Sequence, residues 1–386
     1  MITEVDAAKR LKVGVRTVQR MKAKIRGGIS LLHGNCGRMP AKTVSPKARE
    51  QVLLDIQKPI FEGVNFKHFY ELTNPQMSYD FMRRYLYSEG IKSPKTRRKK
   101  GKKVHKSRER RAKFGELIQG DGTPFDWFKT GENQCLHVLI DDARGELTGL
   151  HMSKNECMDG YFECTRYMLE KHGTPEALYT DRLSIFFSNK TEELTIEEQL
   201  AGVSERKTQF GEICETLGIE LIPALSPQAK GRVERVNQTL QSRLPVEFAT
   251  RGICDIDSAN KFLKEEFIDM FNAQFGVNCD SKNCFVPLPK SVDLDGLLVW
   301  KTKRCVDKGG VFSLNSIKFI TASELAKKQI EVLISKKIGI AAKFKDKFYD
   351  VIPLSTNTKN ITSSDSAEMI FNRFVEFYTL KSERFA

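Results

Sequence analysis

Three carboxylates in the middle of the chain have the residue types and positions of a metal site. Asp121 and Asp181 each follow an apolar strand segment directly, and Glu234 stands near the start of a long helical pattern. Mg²⁺ prefers carboxylate, water and phosphate oxygens, and two such ions about 3.5–4 Å apart support in-line phosphoryl transfer. Each acid alone also fits an ordinary strand end or helix start. The prediction therefore depends on all three meeting at one edge of a sheet.

The predicted order of secondary structure brings these acids together. From residue 114 to 255 the apolar pattern predicts an α/β mixed sheet with the order βββαβαβα. In this order the first and fourth strands end side by side, so Asp121 and Asp181 face one point. The predicted strands are Leu117–Gly120, Cys135–Ile140, Leu147–Met152, Ala177–Thr180 and Ile219–Ala224. A polar, Glu-rich insertion at about 188–207 interrupts this order.

The N-terminal region has the spacing of a DNA-reading motif. Residues 1–27 contain two amphipathic helical patterns around a short break at Val13–Val15, as in a helix-turn-helix. The second helix is expected to present side chains suited to phosphates and base edges, namely Arg16, Thr17, Gln19, Arg20 and Lys22. Any amphipathic helical hairpin with a basic outer face is the alternative. Residues 45–94 predict a second small helical unit, which we also expect to bind DNA.

Net charge is concentrated in one segment. The 386 residues carry a formal charge of +14, with 63 Lys and Arg against 49 Asp and Glu. Residues 92–113 hold thirteen basic residues and one acid, a net +12, and include Arg97, Arg98, Lys99, Lys100, Lys102 and Lys103. Such a run is typical of phosphate binding, although a solvated linker or an anionic membrane surface fits it too. No apolar run is long enough to span a bilayer and the N-terminus shows no signal peptide, so we expect a cytoplasmic protein.

The C-terminal third changes character again. Short strand patterns from Leu297 to Leu354 predict a small β-barrel, and Val311–Ile320 reads as one of its strands. The nine cysteines form no CxxC pair, which gives no reason to expect structural zinc. The predicted domains are a helix-turn-helix (1–40), a second helical DNA-binding unit (41–95), a basic linker (96–113), a catalytic core (114–255), a helical connector (256–296), a β-barrel (297–355) and a helical tail (356–386).

Three stretches of this sequence resemble one known family. Residues 115–128 around Asp121, 179–186 around Asp181 and 226–235 around Glu234 are similar to the DDE transposases of bacterial insertion sequences, and most similar to the ISNCY type. The catalytic core of that family is RNase H-like and of the retroviral integrase type. The resemblance covers nearly the whole chain, and Ser226–Arg235 is its most specific part.

The resemblance implies a function and a set of partners. It implies a Mg²⁺-dependent enzyme, with two ions and Mn²⁺ as a substitute, that cuts DNA at the terminal inverted repeats of its element. The freed 3′-hydroxyl then joins target DNA without a covalent protein intermediate. Asp121, Asp181 and Glu234 are the implied catalytic metal ligands, and Lys230, Arg232 and Arg235 the implied contacts to DNA phosphates. The implied partners are double-stranded DNA and further copies of the chain, with no membrane and no small-molecule substrate. The implied location is the bacterial cytoplasm, at the nucleoid.

Two other functions remain open from the sequence. A domesticated element that only binds DNA as a regulator would keep the DNA-reading region, and a nuclease of the same fold would hydrolyse without joining. One departure from the integrase pattern is the separation of Asp181 and Glu234 by 52 residues, which exceeds the usual spacing. The 188–207 insertion accounts for the excess.

Overall fold

The computed structural model describes residues 2–32, 43–94, 109–188, 207–224, 230–277, 282–314, 317–335, 339–345 and 347–354. The chain divides into two compact units. The first comprises Met1–Glu62 and Phe66–Ser93, and the second comprises Gly63–Asn65 and Pro94–Ala386. Most of the predicted basic linker, the 188–207 insertion and the C-terminal tail lie outside the described residues, as do Arg97, Arg98, Lys99, Lys100, Lys102 and Lys103.

The N-terminal unit is helical, and its first two helices form where the sequence predicts them. Helix α1 (Glu4–Leu11) starts after Thr3, whose hydroxyl accepts a hydrogen bond from the Asp6 backbone N–H, and ends at a left-handed residue, Lys12. Helix α2 spans Val15–Arg26. Their buried residues are Ala8 and Val18.

Three further helices are described in this unit. Helices α3 (Pro46–Ile56), α4 (Phe66–Thr73) and α5 (Tyr79–Ser88) follow, with a 3₁₀ turn at Pro59–Phe61. The hydroxyls of Ser45 and Ser78 cap the starts of α3 and α5. Their shared interior is apolar and includes Val52, Phe69, Met82 and Leu86.

The second unit contains a five-stranded mixed sheet. Its strands are β1 (Ile118–Phe125), β2 (Gln134–Asp141), β3 (Leu147–Ser153), β4 (Ala177–Thr180) and β5 (Glu220–Pro223), in the spatial order β3-β2-β1-β4-β5. The first three strands pair antiparallel, whereas β4 pairs parallel with both β1 and β5. In the described residues, the helices that alternate with the later strands are α6 (Met158–Lys171), α7 (Gln209–Thr216) and α8 (Gly231–Arg251). The predicted order βββαβαβα is confirmed.

The sheet has an apolar cluster on each face. Residues of α6 and α7, such as Phe162 and Phe210, pack with Leu139 on one face. Residues of α8 and the helices after it, such as Leu240 and Phe267, pack with Val138 on the other. Leu139 and Val138 are neighbours on β2, and strand alternation sends them to opposite faces. Strand β2 is accordingly buried along its whole length.

The segment after α8 continues as helices and then as short strands. Helices α9 (Ile256–Phe262) and α10 (Ile268–Phe275) are joined by a π-helical turn at Leu263–Phe267, and the short α11 spans Leu294–Leu297. The strands are β6 (Trp300–Cys305), β7 (Val311–Leu314), β8 (Ile317–Ile320), β9 (Gln329–Ser335), β10 (Gly339–Phe344), β11 (Lys347–Asp350) and β12 (Ile352–Pro353). No helix in the described part of the chain is long and apolar enough to cross a membrane.

These seven strands form two sheets where a single small barrel is predicted. One sheet has the order β11-β10-β9-β6 and the other the order β12-β8-β7. The segment predicted as one strand, Val311–Ile320, is a pair of antiparallel strands with Leu314 opposite Ile317. Only two polar residues, Asn315 and Ser316, separate the two apolar segments, which explains why the pattern reads as one strand. The predicted helical tail, 356–386, lies outside the described residues.

Candidate active site

Two of the three predicted acids lie side by side on adjacent parallel strands. Asp181 directly follows β4, whereas Asp121 lies inside β1, which continues to Phe125 instead of ending at Gly120 as predicted. Strands β1 and β4 pair Ile118 with Leu178 and Gln119 with Tyr179. Asp121 and Asp181 each lie two positions beyond the Gln119–Tyr179 pair, so the register brings them to the same edge of the sheet. The Asp121 side chain is 21% exposed and that of Asp181 is 42% exposed. Both carboxylates are therefore accessible from solvent while resting on the sheet.

A lysine joins the two aspartates. The Nζ atom of Lys230, at the N-terminal end of α8, lies 2.8 Å from Asp121 Oδ1 and 3.5 Å from Asp181 Oδ2. The Lys230 side chain is only 8% exposed. The sequence predicts this residue against DNA phosphates, whereas the structure directs its ammonium group at the two carboxylates.

An asparagine in the second turn of α8 holds the other oxygen of Asp121. Asn237 Nδ2 donates a hydrogen bond to Asp121 Oδ2 at 2.7 Å. The Oδ1 atom of Asn237 is buried and has no hydrogen-bond partner among the described residues. A buried carbonyl-type oxygen without a donor is an available ligand for a cation. Asn237 is not among the predicted site residues, and only its helical spacing from Glu234 could have indicated it.

Glu234 lies on the same stripe of α8 as these two residues. Positions 230, 234 and 237 follow the i, i+4, i+7 spacing of one helical face, and the flanking members of this set both bond to Asp121. Glu234 is in the first turn of α8 and is exposed. In the part of the chain that the structure describes, no three His, Cys, Asp or Glu side chains are grouped closely enough to hold a metal ion. The structure thus brings Asp121 and Asp181 together, and Glu234 stays a predicted ligand.

The donor atoms at this edge fit a hard divalent cation. Two carboxylates and the buried Asn237 Oδ1 are oxygen donors of the kind that Mg²⁺ and Mn²⁺ prefer. Burial, together with the neighbouring Asp181, raises the pKa of Asp121, and the opposing effects of Lys230 and Asn237 only partly offset this. A bound cation would relieve the same unfavourable burial of negative charge.

A fourth carboxylate, which the sequence prediction does not include, borders the site. Burial, with the nearby charges of Asp181 and Asp121, raises the pKa of Glu156 to about 7. The Tyr161 hydroxyl donates a hydrogen bond to Glu156 Oε1 at 2.5 Å. The carboxyl group of Glu156 lies against Gly122, where it fills the space that a Cβ atom would need. Glu156 precedes α6 in a turn, so strand and helix periodicity give no signal for it.

Arg232 has a different partner from the one predicted. Its Nε atom lies 2.7 Å from Oδ1 of Asp142, and the Asp142 side chain is completely buried. Gln119 bridges the same elements, because its Nε2 donates to Asp142 Oδ1 at 2.7 Å and its Oε1 accepts from the Val233 N–H at 3.3 Å. Arg232 therefore fastens the start of α8 to the sheet, and its predicted contact to a DNA phosphate stays a prediction. Arg235 is exposed, as a phosphate contact requires.

The predicted DNA-reading residues of α2 fall into two groups. Arg16 and Arg20 are exposed. Gln19 Nε2 and Lys22 Nζ belong to exposed residues too, but each lies 3.0 Å from the Glu4 carboxylate of α1. Thr17 is only partly exposed because its side of α2 turns toward the buried contact between the two helices. Of the three predicted cations of α2, Lys22 is paired with Glu4, whereas Arg16 and Arg20 are exposed.

Comparison with known proteins gives two curated relatives. Over 343 residues the chain is 32% identical to the transposase for insertion sequence IS1202 from Streptococcus pneumoniae, a match covering 80% of this chain and 72% of that protein. Over 282 residues it is 33% identical to the putative transposase y4bF of Sinorhizobium fredii, covering 72% of this chain and 59% of that protein. No protein-family model matches the chain.

Solved structures also match, at low identity. A chain of the simian T-cell lymphotropic virus intasome in complex with PP2A regulatory subunit B56 gamma matches with 16% identity and a TM-score of 0.32, over 79% of this chain and 96% of that chain. The HTLV-2 integrase catalytic core domain in complex with magnesium, in its dimeric form, matches with 21% identity and a TM-score of 0.27, over 40% of this chain and 87% of that chain.

Proposed function

Because the chain belongs to the transposases of bacterial insertion sequences, we propose that it is a DDE-type enzyme that cleaves DNA at the terminal inverted repeats of its element. In the same active site it joins the freed 3′-hydroxyl to target DNA, in a metal-dependent reaction. The observation that carries this proposal is the pair of carboxylates on adjacent parallel strands, Asp121 within β1 and Asp181 directly after β4, which both contact the Lys230 ammonium group.

The proposed metal ligands are Asp121, Asp181 and Glu234, with Mg²⁺ as the natural ion, two ions per site and Mn²⁺ as a substitute. When bound, such ions activate the attacking oxygen and stabilise the leaving oxygen of a phosphodiester. Glu234 is proposed because it lies between Lys230 and Asn237 on the face of α8 that bonds Asp121. Its exposed side chain has the freedom to turn toward the aspartates.

The surrounding residues orient this ligand set. The hydrogen bond from Asn237 holds one oxygen of Asp121 in place, so the Asp121 side chain keeps one orientation. The ion pair between Arg232 and Asp142 fixes the first turn of α8, which carries Glu234. Both contacts position metal ligands, and neither requires Asn237 or Arg232 to touch DNA.

DNA recognition is proposed for the basic surfaces. We propose that residues 92–113 neutralise DNA phosphates and that Arg16 and Arg20 of α2 read the inverted repeats, assisted by Gln19 and Lys22. Arg235 is proposed to contact phosphates beside the active site. Joining two element ends to one target calls for more than one copy of the chain on DNA, so the active form is proposed to be a homo-oligomer at the bacterial nucleoid.

The test is a joining assay with the full chain, a fragment carrying the flanks of its own gene, and a supercoiled target. We expect joined product in Mg²⁺, none in EDTA, and none with Asp121→Asn, while the matched variant Asp257→Asn, altered at an exposed acid of α9, joins normally.

Each of the other outcomes would point to a different function or a different site. Tight binding to the flanks without cutting or joining in any metal would indicate the DNA-binding regulator. Nicked fragment without joined product would indicate a nuclease. Joining that survives Asp121→Asn would overturn the assignment of the site.

A further inference from the structure

The ammonium group of Lys230 lies against the two aspartates that are proposed to hold the metal. Its Nζ atom is within 2.8 Å of Asp121 Oδ1 and 3.5 Å of Asp181 Oδ2, and its side chain is almost fully shielded from solvent. An exposed surface lysine would pair loosely, with little energetic effect. Here the ammonium is buried against a partly buried carboxylate, so removing either charge leaves the other without compensation.

We propose that Lys230 is a positioning residue that competes with the divalent cation for Asp121 and Asp181 and so sets the metal affinity of the site. The inference rests on the proposed function, in which these two aspartates are metal ligands. Without a divalent ion, Lys230 offsets one of the two negative charges and draws together carboxylates that would otherwise repel. A bound divalent ion would need the same oxygens, so the ammonium group would have to leave them.

Electrostatics makes the two cations mutually exclusive. A metal ion held by Asp121 and Asp181 would bring its charge close to an Nζ atom that already contacts both carboxylates, and like charges repel strongly in a partly desolvated site. A lysine side chain has a flexible four-carbon stem, so Nζ can leave without a shift of the backbone. Asn237 keeps its own hydrogen bond to Asp121 Oδ2, so that the carboxylate stays oriented during the exchange.

Lys230 should therefore have opposite effects with and without metal. Removing its charge should weaken the folded state in the absence of metal, because two carboxylates lose their counter-ion. The same change should strengthen metal binding, because the competitor is gone. A lysine with a purely structural role would lower stability under both conditions and leave metal affinity unchanged.

The experiment measures Mn²⁺ binding to the full chain by isothermal titration calorimetry, together with melting temperatures in EDTA and in saturating Mn²⁺. The variants are Lys230→Gln, Lys230→Met as a second neutral side chain, Lys230→Arg, and the control Lys261→Gln at an exposed position of α9. We expect the two neutral variants to bind Mn²⁺ about tenfold more tightly or better, which corresponds to about 1.4 kcal/mol or more. Lys230→Arg and Lys261→Gln should bind like the unchanged chain.

The melting temperatures supply the second readout. Lys230→Gln should melt below the unchanged chain in EDTA, and Mn²⁺ should raise its melting temperature more than that of the unchanged chain. Equal Mn²⁺ affinities for Lys230→Gln, Lys230→Met and the unchanged chain would overturn the inference. If Asp121→Asn binds Mn²⁺ as well as the unchanged chain, the proposed ligand set fails instead, so the two failures are distinguishable.

Discussion

Both oxygens of the Asp121 carboxylate are engaged by side chains from one stripe of α8. Lys230 Nζ lies 2.8 Å from Oδ1, and Asn237 Nδ2 donates to Oδ2 at 2.7 Å. The carboxylate is therefore fixed in direction before any cation binds. Outer contacts of this kind control how well a ligand presents its oxygens to a metal ion.

Removing the Asn237 amide tests this contact. Asn237→Ala should reduce the joining rate by about 10–100-fold, because Asp121 loses the hydrogen bond that orients it. Rates are measured in the joining assay with Mg²⁺. The matched variant Asn133→Ala, at an exposed loop position, should join normally. A rate for Asn237→Ala within about twofold of the unchanged chain, well below the range expected for such a contact, would show that this hydrogen bond does not position the ligand.

His137 contributes a pH dependence of stability. Its imidazole is completely buried, and burial lowers its pKa from 6.5 to about 4. Nε2 accepts a hydrogen bond from the Cys157 N–H at 3.0 Å, which leaves Nδ1 to donate to the His151 carbonyl oxygen at 3.2 Å. The folded state needs the neutral ring, so between pH 6.5 and 4 the unfolded state binds more protons and stability falls as pH falls.

We expect the stability advantage of the unchanged chain over His137→Gln to shrink by about 1.5 kcal/mol between about pH 6.5 and pH 5, since the slope approaches about 1.4 kcal/mol per pH unit. Glutamine does not titrate, and other groups such as Glu156 titrate in both proteins and cancel. Urea unfolding at several pH values measures the difference. If the difference in unfolding free energy between the two proteins stays constant with pH, the lowered pKa of His137 is contradicted.

The sequence is sufficient to locate the two aspartates but not their partners. Both aspartates follow apolar segments in the sequence, and the strand order makes them neighbours, although β1 runs past Asp121 to Phe125. The contacts of Lys230, the orientation of Asn237 and the approach of Glu156 depend on how α8 and α6 dock on the sheet. Lys230 and Asn237 are 109 and 116 positions from Asp121, and pairs so far apart leave no mark in a local pattern.

At the scale of elements, two asparagines cap one edge strand of the sheet, β3. Strand β3 lies at the edge of the sheet, beside α9 and α10. Asn260 accepts from the Met152 N–H at 2.7 Å and donates to the Met152 carbonyl at 2.9 Å. Asn272 makes the same two bonds, at 2.7 and 2.9 Å, with Leu147. Each amide thus substitutes for a neighbouring strand, which satisfies buried backbone groups and blocks pairing with another chain.

Asn272→Ala should destabilise the folded chain by about 2–4 kcal/mol, because it leaves the N–H and carbonyl of the fully buried Leu147 without partners. Denaturant unfolding measures the change, with Asn133→Ala as the exposed control. A decrease below about 0.5 kcal/mol, as for an ordinary surface change, would contradict this role.

Element prediction succeeds where the periodicity is unambiguous. The core order βββαβαβα follows from apolar strands separated by long amphipathic helices. The C-terminal strands are harder, because only the polar dipeptide Asn315-Ser316, a typical turn signal, separates the apolar segments Val311–Leu314 and Ile317–Ile320. Closure into a barrel or division into two sheets depends on long-range packing that short alternating segments do not encode.

At the scale of the whole molecule, the positive charge is unevenly distributed. Residues 92–113 carry a net +12 of the total +14 and follow the N-terminal helical unit in the chain. The remaining residues together are nearly neutral by comparison. Most of the electrostatic affinity for DNA is therefore expected from this one segment.

Neutralising part of this segment tests the expectation. The quadruple variant with Arg97, Arg98, Lys99 and Lys100 all changed to Gln should bind duplex DNA more weakly at low salt. Its log–log salt slope should become shallower by about 0.9 for each DNA phosphate that is no longer neutralised. Fluorescence anisotropy at several salt concentrations measures the slope, while Mn²⁺ affinity should not change. An unaltered slope would show that other cations carry the binding.

The central claim is that Asp181 holds the catalytic metal. It is tested most directly by changing this ligand and the metal ion together. Mg²⁺ needs hard oxygen ligands, whereas Mn²⁺, a transition metal, accepts a softer thiolate more readily. Asp181→Cys, at the more exposed of the two aspartates, should bind DNA normally, join no ends in Mg²⁺ and recover measurable joining in Mn²⁺. Joining in Mg²⁺ at the rate of the unchanged chain, or an equal loss of joining in both metals, would contradict the claim that this side chain holds the catalytic metal.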